Sequence, residues 1–320
     1  MSEQPTSSMA GTEWHDIVDF VERSTYRIWN EREVDLITRT YTPQTITHMD
    51  SGDMVGVEHV VEDTERALAG REGFRGRIDE TIWTGNDRDG YRTSMRWTWT
   101  ARNAGDPVFG GPTGRWIRVS ATANCAVKGE HYVEEWKAWN PGARAAQLGI
   151  GHDAAARMWA STSTGRQQPE GRTAAEFGVR VPAIPARVHG SGELVQDHLT
   201  ALFGKGDAER VFAAYSNDAR LSVGTSRTYQ HLAGIKNYVD DWLRLMPERE
   251  FRIDELYWLE DFNLDRVAVR WNLAGTVPTP RGEREVSVMG INHVHVHGGK
   301  IVAEFAEFDE LSLHRQIAGV

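Results

Sequence analysis

An internal repeat restricts what this chain can fold into more than any other feature of its sequence. The run Gly-Val-Glu-His-Val-Val-Glu-Asp at 56–63 matches Gly-Ile-Lys-Asn-Tyr-Val-Asp-Asp at 234–241, at an offset of 178. Arg-Ile-Asp-Glu occurs at 77–80 and again at 252–255, at an offset of 175. Matches that recur in the same order along a chain are typical of two copies of one structural unit. We therefore expect two domains with the same fold.

The other matches and the segment between the copies indicate where each domain lies. Tyr41 matches Tyr215, and the last third of each half aligns at an offset of 169, which matches Glu135 with Glu304. The stretch 161–192 is rich in Ser, Gly, Pro and Gln and shows neither a helical nor a strand period, a pattern typical of a linker. The predicted boundaries are 11–160 for the first domain, 161–190 for the linker and 191–320 for the second domain.

Helical patterns come first in each half and strand patterns come later. Apolar residues at helical spacing predict a helix at 13–30 and its counterpart at 193–203. Alternating apolar and polar residues predict long strands at 92–100, 115–127, 266–273 and 285–297. We expect an α+β fold in both halves, each a curved antiparallel sheet with helices on its concave side.

Composition excludes several classes of protein. The formal charge is 36 − 46 = −10 without long runs of like charge, which argues against nucleic acid or an anionic membrane as a partner. Cys125 is the only cysteine, so no intramolecular disulfide forms. No signal-peptide pattern and no run of 18 apolar residues occurs. We expect a cytoplasmic protein whose partner is a small molecule. Sequence motifs of P-loop ATPases, serine esterases and zinc metalloproteases are absent.

Several short motifs resemble the SnoaL-like polyketide-cyclase branch of the NTF2-like superfamily. In the first half they are Tyr41-Thr-Pro43, His48, Gly56, Phe109-Gly-Gly-Pro-Thr-Gly-Arg115, Glu134-Glu-Trp136 and Gln147-Leu-Gly149. In the second half they are Pro278-Thr-Pro-Arg-Gly282, Gly298-Gly-Lys-Ile301, Glu304, Phe308-Asp309 and Gln316. The resemblance implies two tandem cone-shaped domains, each enclosing an apolar pocket. It leaves the reaction open, because this fold supports many chemistries as well as plain binding.

The resemblance also implies an acid/base pair, formed by an Asp late in the domain and a His on the preceding strand. Asp309 and His295 occupy these positions in the second half, whereas the first half has Asn140 and Ala126, which cannot exchange a proton. The alternative for Asp309 is the N-cap of the last helix. In the first half, His48 is expected at the pocket edge, or else in a hydrogen-bonded structural position.

The run His293-Val-His-Val-His297 permits a third interpretation. On a strand its three imidazoles share one face and Val294 and Val296 the other. Two of them could bind a metal with Glu304 or Asp309. If instead the valines face the pocket, His295 lies outside it. We favour a protein without a metal or another cofactor.

Tryptophan is abundant: nine of the 12 precede the predicted linker. We expect most rings in the core or in a sheet interface that pairs the two domains as a pseudo-dimer, with homo-oligomers as a further option. A minority of rings should line a pocket. The residues predicted to contact substrate are Tyr26, Trp29, Tyr41, Trp97, Trp136, Asn140, Tyr229 and Trp271.

The leading functional hypothesis is a cofactor-independent lyase, isomerase or cyclase. It would use general acid/base catalysis on a small apolar substrate, aromatic or polyketide-like and oxygenated. Asp309 and His295 would transfer protons in the second half, and His48 would supply the polar group in the first. The alternative is a non-catalytic ligand-binding or scaffold protein, and the third option is a metal-dependent enzyme that uses the three histidines.

Overall fold

A computed structural model of the chain describes Met9, residues 11–160 and residues 170–320. These residues form two compact units, the first ending at Val181 and the second beginning at Pro182. Of the predicted linker, residues 161–169 lie outside the described residues. Among the described residues, no helix combines the length and the apolar character needed to cross a membrane.

The first unit contains a six-stranded sheet in the order β2-β1-β6-β5-β4-β3. Its helices are α1 (Ile17–Trp29), α2 (Ile37–Thr40), α3 (Val57–Ala69), α4 (Pro141–Leu148) and α5 (His152–Ala160), with a 3-10 turn at Val34–Leu36. Its strands are β1 (Tyr41–His48), β2 (Met54–Val55), β3 (Arg71–Asn86), β4 (Gly90–Asn103), β5 (Trp116–Lys128) and β6 (His131–Trp139).

The second unit repeats this arrangement, with strand order β8-β7-β12-β11-β10-β9. Its helices are α6 (Gly190–Leu199), continued by a π-helical stretch at Thr200–Lys205, α7 (Ala208–Ala214), α8 (His231–Leu245) and α9 (Glu310–Ala318). Its strands are β7 (Tyr215–Val223), β8 (Arg227–Gln230), β9 (Glu248–Leu259), β10 (Asp265–Thr279), β11 (Gly282–His297) and β12 (Lys300–Phe308).

The prediction of two tandem α+β domains is confirmed, with one difference in the sheets. Each sheet is mixed rather than purely antiparallel, because β1 runs parallel to β6 and β7 runs parallel to β12. The parallel pairs arise because a helix and a short hairpin strand separate the first strand of each unit from the long meander that follows. The four long strands of each unit are antiparallel to their neighbours, as the alternating patterns predicted.

Side-chain alternation gives each sheet an inner face toward its helices and an outer face. In the first unit, Trp97 on β4 packs against Trp29 of α1 with ring centroids 5.4 Å apart. Met95, two residues earlier, contacts Thr25 of the same helix. Arg96 lies between them in sequence and forms an ion pair with Asp79 on the outer face. Every second residue of β4 therefore points to the inner face of the sheet.

Residues 170–181 are the last part of the first unit and lie on the outer face of its sheet. Ala174, Val179 and Val181 form an apolar cluster with Ala126 and Val133. Backbone groups hold the segment in place. The Arg172 amide donates to the Gln44 carbonyl at 2.9 Å, and the Ala174 amide donates to Glu134 Oε2 at 2.7 Å.

Aromatic rings fill the interior of the second unit. Phe203 packs against Trp271 with centroids 4.9 Å apart, and Trp242 packs against Phe308 at 5.3 Å. Trp271 is completely buried and lies flat on Gly290, its partner on β11, where a Cβ would stand only 2.1 Å from the indole. The tryptophan therefore depends on this glycine.

Candidate active site

Strand β6 brings alternating charged and aromatic side chains to the inner face of the first sheet. Its residues Glu135, Lys137 and Trp139 pair with inner-face residues of β5, so all three point toward the helices. Two ionisable groups in the interior of a small domain are unusual, because burying a charge is unfavourable unless it is paired. Strand β6 therefore contributes Glu135 and Lys137 to the candidate site.

The Glu135 carboxylate is buried and held by three donors. Its Oε2 atom accepts hydrogen bonds from the Tyr41 hydroxyl and the Thr47 hydroxyl, both at 3.2 Å, and lies 3.3 Å from Lys137 Nζ. Burial, followed by the Glu135 charge, raises the pKa of Tyr41 well above its ordinary value. The phenol therefore stays protonated and donates to Glu135.

Lys137 combines a paired ammonium group with partial access to solvent. Its side chain is 24% exposed, against 5% for Glu135. Burial alone would lower the pKa of Lys137, but the carboxylates of Glu135 and Asp63 outweigh that effect and raise the pKa. The ammonium group is therefore a fixed positive charge at neutral pH, suited to stabilising negative charge on a ligand.

Asp63 supplies a second carboxylate, from the middle of α3. It is partly buried and has no hydrogen bond or ion pair within the part of the chain that the structure describes. Its charge nevertheless acts on three cations: it contributes to the raised pKa of Lys137, and it opposes the effect of burial, which lowers the pKa values of Arg71 and Arg144. Asp63 is thus close to all three without forming an ion pair with any of them, which leaves it available to a ligand.

Two arginines stand beside an aromatic wall next to these groups. Arg144 Nε on α4 lies 3.3 Å from Asp106, and its guanidinium carbon lies 4.9 Å from the Phe109 ring and 5.1 Å from the Trp139 ring. The guanidinium of Arg71 stacks on Trp99 at 4.1 Å. Such cation–π contacts keep arginines in place while their N–H groups stay directed elsewhere.

The second unit keeps the buried Tyr–Glu pair but lacks the rest of this set. Glu304 accepts a hydrogen bond from Tyr215, and from Asn292 Nδ2 at 2.5 Å, and lies 3.4 Å from His198 Nε2. Burial raises the pKa of Glu304, but the nearby His198 and the hydrogen bonds from Tyr215 and Asn292 outweigh this and hold that pKa below its ordinary value. With 1% exposure, Glu304 belongs to a closed polar network.

Sheet register and the repeat offset identify the residues of the second unit that stand where the first unit has Thr47, Lys137 and Arg144. Opposite the glutamate on the first strand, Thr47 is exchanged for Leu221. Two residues after the glutamate, Lys137 is exchanged for Ala306, and Arg144 corresponds to buried Leu313 at the offset of 169. The first unit therefore has a polar, partly accessible interior, whereas the interior of the second is apolar and packed.

Asp309, predicted as a catalytic acid/base, caps a helix. Its side chain accepts a hydrogen bond from the Ser312 amide at 2.8 Å, at the N-terminus of α9. Asn140 occupies the same position before α4 and accepts from the Ala143 amide at 3.3 Å. Asp309 therefore has the capping role that the sequence offered as its alternative, and Asn140 has the same role at the start of α4.

His295 lies apart from Asp309. The flanking Val294 and Val296 belong to the apolar core, so His295 is on the outer face, where its ring contacts Phe305 at 5.3 Å. Gly290 pairs with Phe308, and His295 is five residues further along β11, which is about 17 Å at strand spacing. The structure therefore does not bring this predicted pair together.

His48 is also on an outer face, that of the first sheet. Its Nε2 lies 3.1 Å from Glu134 and its Nδ1 lies 3.0 Å from Asp53, while its ring stacks on Trp136 at 5.2 Å. Burial lowers the pKa of His48, but the bonds to Glu134 and Asp53 outweigh it and raise that pKa. This geometry matches the structural alternative rather than a pocket edge.

The three histidines of β11 do not form a metal site with the acidic residues proposed as ligands. Glu304 pairs with Val294 and therefore faces the core, opposite the histidines. His297 Nδ1 lies 2.6 Å from the Asn263 carbonyl. Within residues 11–160 and 170–320, no group of three or more His, Cys, Asp or Glu side chains is arranged to hold a metal ion.

The residues predicted to contact substrate are distributed over both units. Tyr41, Trp29 and Trp97 lie in the interior of the first unit. Tyr26 accepts a hydrogen bond from the Ile78 amide at 3.0 Å. The others lie elsewhere: Trp136 on the outer face, Asn140 at a helix cap, Trp271 in the packed second core and Tyr229 against Tyr238 with centroids 5.7 Å apart.

Sequence reasoning missed four residues of the candidate site: Asp63, Arg71, Lys137 and Arg144. A signal existed for two of them, because the repeat alignment places alanine and leucine opposite Lys137 and Arg144. Charged residues that replace apolar ones at core positions of a repeated fold mark a difference in function between the copies. Asp63 gave no such signal, since its counterpart Asp241 is also an aspartate.

Comparisons with known proteins agree with the repeat. A family model for the SnoaL-like polyketide cyclase matches residues 20–148, and one for the SnoaL-like domain matches residues 195–304. A structure described as a SnoaL-like polyketide cyclase, from Shewanella putrefaciens, is 16% identical, with 40% of this chain and 96% of that chain covered and a TM-score of 0.34.

A structure described as a polyketide cyclase, from Bacillus cereus, is 21% identical, with 39% of this chain and 80% of that chain covered and a TM-score of 0.34. No match was found among curated proteins. The two family matches fall one in each unit. This chain therefore consists of two tandem SnoaL-like domains with the NTF2-like α+β fold.

Proposed function

We propose that the first unit catalyses proton transfer at an enolisable carbonyl compound, as a cofactor-independent isomerase or cyclase. The observation that supports this most is an unengaged carboxylate, Asp63, whose charge acts on a permanently charged ammonium group, Lys137, in a partly accessible interior. A base and an oxyanion-stabilising cation are the two groups that such a reaction needs.

In the proposed reaction, Asp63 takes a proton from the carbon next to a substrate carbonyl. The C–H electron pair forms the enolate, and the negative charge that develops on oxygen is stabilised by Lys137 Nζ. Glu135, bonded to Tyr41 and Thr47, holds Lys137 in place. The enolate then attacks a second carbonyl carbon, which closes a ring and leaves an alkoxide that takes the proton from Asp63. Alternatively, where a conjugated double bond carries the charge to another carbon, that carbon takes the proton back from Asp63, which isomerises the substrate.

We propose a non-catalytic, structural role for the second unit. Its interior is filled by packed aromatic rings, and its polar network around Glu304 is closed to solvent. Asp241, the counterpart of Asp63, has a side chain that is 61% exposed and pairs with Arg244 on the helix surface. The alternative of a scaffold with filled domains is therefore favoured for this unit only.

Deuterium exchange into an enolisable probe tests the proposal without knowledge of the natural substrate. We expect the protein to accelerate exchange at the α-carbon of 2-tetralone in D2O, measured by proton NMR. Asp63→Asn should slow the catalysed exchange by about 100-fold or more, the usual contribution of a positioned base. The matched variant Asp241→Asn should exchange like the unmodified protein.

Two outcomes contradict the proposal. One is exchange at the buffer rate with the unmodified protein across a panel of cyclic and aromatic ketones. The other is exchange by Asp63→Asn that equals the unmodified rate.

A further inference from the structure

Arg71 is a partly buried cation of the first unit for which the described residues provide no paired anion. Its guanidinium stacks on Trp99 at 4.1 Å, and the side chain is partly buried at the start of β3. Among the described residues, this guanidinium makes no hydrogen bond and no ion pair. A guanidinium has five N–H donors in one plane, and stacking on a ring occupies none of them.

The surroundings of Arg71 are electrostatically unfavourable for a charged guanidinium. Burial, followed by the charge of Arg144, lowers the pKa of Arg71 to about 9, although Asp106 and Asp63 act in the opposite direction. Arg144 has its own carboxylate, Asp106, at 3.3 Å. Two guanidiniums thus lie near each other with only one directly bound anion, and a bound anion would relieve the repulsion.

We propose that the substrate of the first unit carries an ionised carboxylate on an aromatic or fused-ring skeleton, and that Arg71 binds this carboxylate. This inference rests on the proposed function, because it describes the substrate of the same site. It is carried by the stacked, unpaired guanidinium and the rings around it.

The geometry favours a carboxylate over other anions. The planar fork of a guanidinium matches a carboxylate in two parallel hydrogen bonds. Asp63 and Asp106 act on the same arginine, so this region already holds negative charge, and a carboxylate adds less to it than a phosphate dianion would. Trp99, Phe109 and Trp139 line the two arginines, and their rings suit the flat face of an aromatic ligand.

The same placement orients the substrate for proton transfer. Asp63 acts on both Arg71 and Lys137, so it lies near both cations. A ligand with its carboxylate at Arg71 and its ketone oxygen at Lys137 would present the carbon next to that ketone to Asp63. The inferred substrate is therefore an aromatic keto acid.

A pair of probes that differ only in charge tests the inference. We would measure the dissociation constants of 2-naphthoate and of neutral 2-naphthamide by isothermal titration calorimetry with the full-length protein. The expected result is binding of 2-naphthoate at least tenfold tighter than 2-naphthamide, since a charge-assisted hydrogen bond contributes about this much or more. Equal affinities would overturn the inference with no variant needed.

Variants then locate the effect. Arg71→Gln should lose most of the preference for 2-naphthoate while its affinity for 2-naphthamide stays unchanged, which also shows that the site is still folded. Arg71→Lys should keep a reduced preference, because the charge remains and the fork is lost. Arg66→Gln removes an exposed arginine of α3 and should bind both probes like the unmodified protein. An Arg71→Gln variant that retains the full preference would overturn the assignment.

Asp63→Asn separates failure of this inference from failure of the proposed function. It should bind 2-naphthoate at least as tightly as the unmodified protein, because a nearby negative charge is removed. If Asp63→Asn exchanges deuterium normally and the carboxylate preference persists, the proposed reaction fails alone. If exchange is lost in Asp63→Asn but the two probes bind equally, the carboxylate inference fails alone.

Discussion

The ion pair between Lys137 and Glu135 leads to a quantitative prediction for a double-mutant cycle. Lys137 Nζ lies 3.3 Å from Glu135 Oε2, and the two side chains are 24% and 5% exposed. At an effective dielectric constant of about 20, a pair of unit charges about 4 Å apart attracts by about 4 kcal/mol. Loss of hydration offsets much of this attraction. We therefore expect a net coupling of about 1–2 kcal/mol.

The single variants should differ in cost. Lys137→Met leaves Glu135 charged and buried with only Tyr41 and Thr47 as donors, and should lower the free energy of unfolding by about 2–3 kcal/mol. Glu135→Gln leaves an ammonium group that reaches water, and should cost about 1 kcal/mol. The double variant should cost less than the sum, by the coupling given above.

Urea denaturation of the full-length variants, followed by tryptophan fluorescence, measures these free energies. Lys236→Met, which removes an exposed lysine of α8, is the control and should change stability by less than about 0.5 kcal/mol. A coupling energy below about 0.5 kcal/mol would refute the view that Glu135 holds Lys137 in a charged, oriented state.

Two further predictions concern residues that sequence reasoning assigned to catalysis. His48 has a raised pKa, so its bonds to Glu134 and Asp53 should stabilise the fold fully below about pH 6.5 and progressively less as pH rises through the raised value. Urea unfolding midpoints measured across this range should fall accordingly. If His48→Gln shows a fall in midpoint of the same size, the prediction is contradicted. Asp309→Ala should lower the free energy of unfolding by about 1 kcal/mol, because the N-cap of α9 is lost. Asp309→Asn should retain both the stability and the catalysed deuterium exchange, because asparagine also caps helices. A large loss of exchange in Asp309→Asn would restore Asp309 as a catalytic residue.

Sequence alone predicted the duplicated fold because its signals are long and occur twice. The matches at 56–63 and 77–80 recur in order, and the long strands alternate clearly. The matched tyrosines and glutamates are also reproduced as equivalent hydrogen-bonded pairs, Tyr41 with Glu135 and Tyr215 with Glu304. Features fixed by strand periodicity and by repeat position were therefore accessible without coordinates.

The face on which a strand residue lies was harder to predict. The pairing of β1 with β6 shifts register between Tyr41 and Ile46, and a shift of one residue moves every following side chain to the opposite face. Thr47 lies inside, on the same face as Tyr41, and His48 lies outside. No short-range pattern in 41–48 indicates where such a shift occurs.

The candidate site also depends on contacts between distant segments. Asp63, Arg71, Lys137 and Arg144 come from a helix, two strands and a second helix, and no motif links their positions in sequence. In contrast, the resemblance to a known family directed attention to Asp309 and His295, whose local roles in this chain are a helix cap and an outer-face ring contact. Position within a family pattern did not determine the chemistry of the residue.

The segment at 170–181 determines how the first unit can be cut out of the chain for separate study. An expression product that stops after α5 at Ala160 would leave Ala126 and Val133 without their apolar cover and Glu134 without the Ala174 amide. Such a truncated protein would expose an apolar patch on the outer face of its sheet and should aggregate. A product that ends at Val181 keeps that cover, so the shortest useful fragment extends through the stretch whose composition resembles a linker.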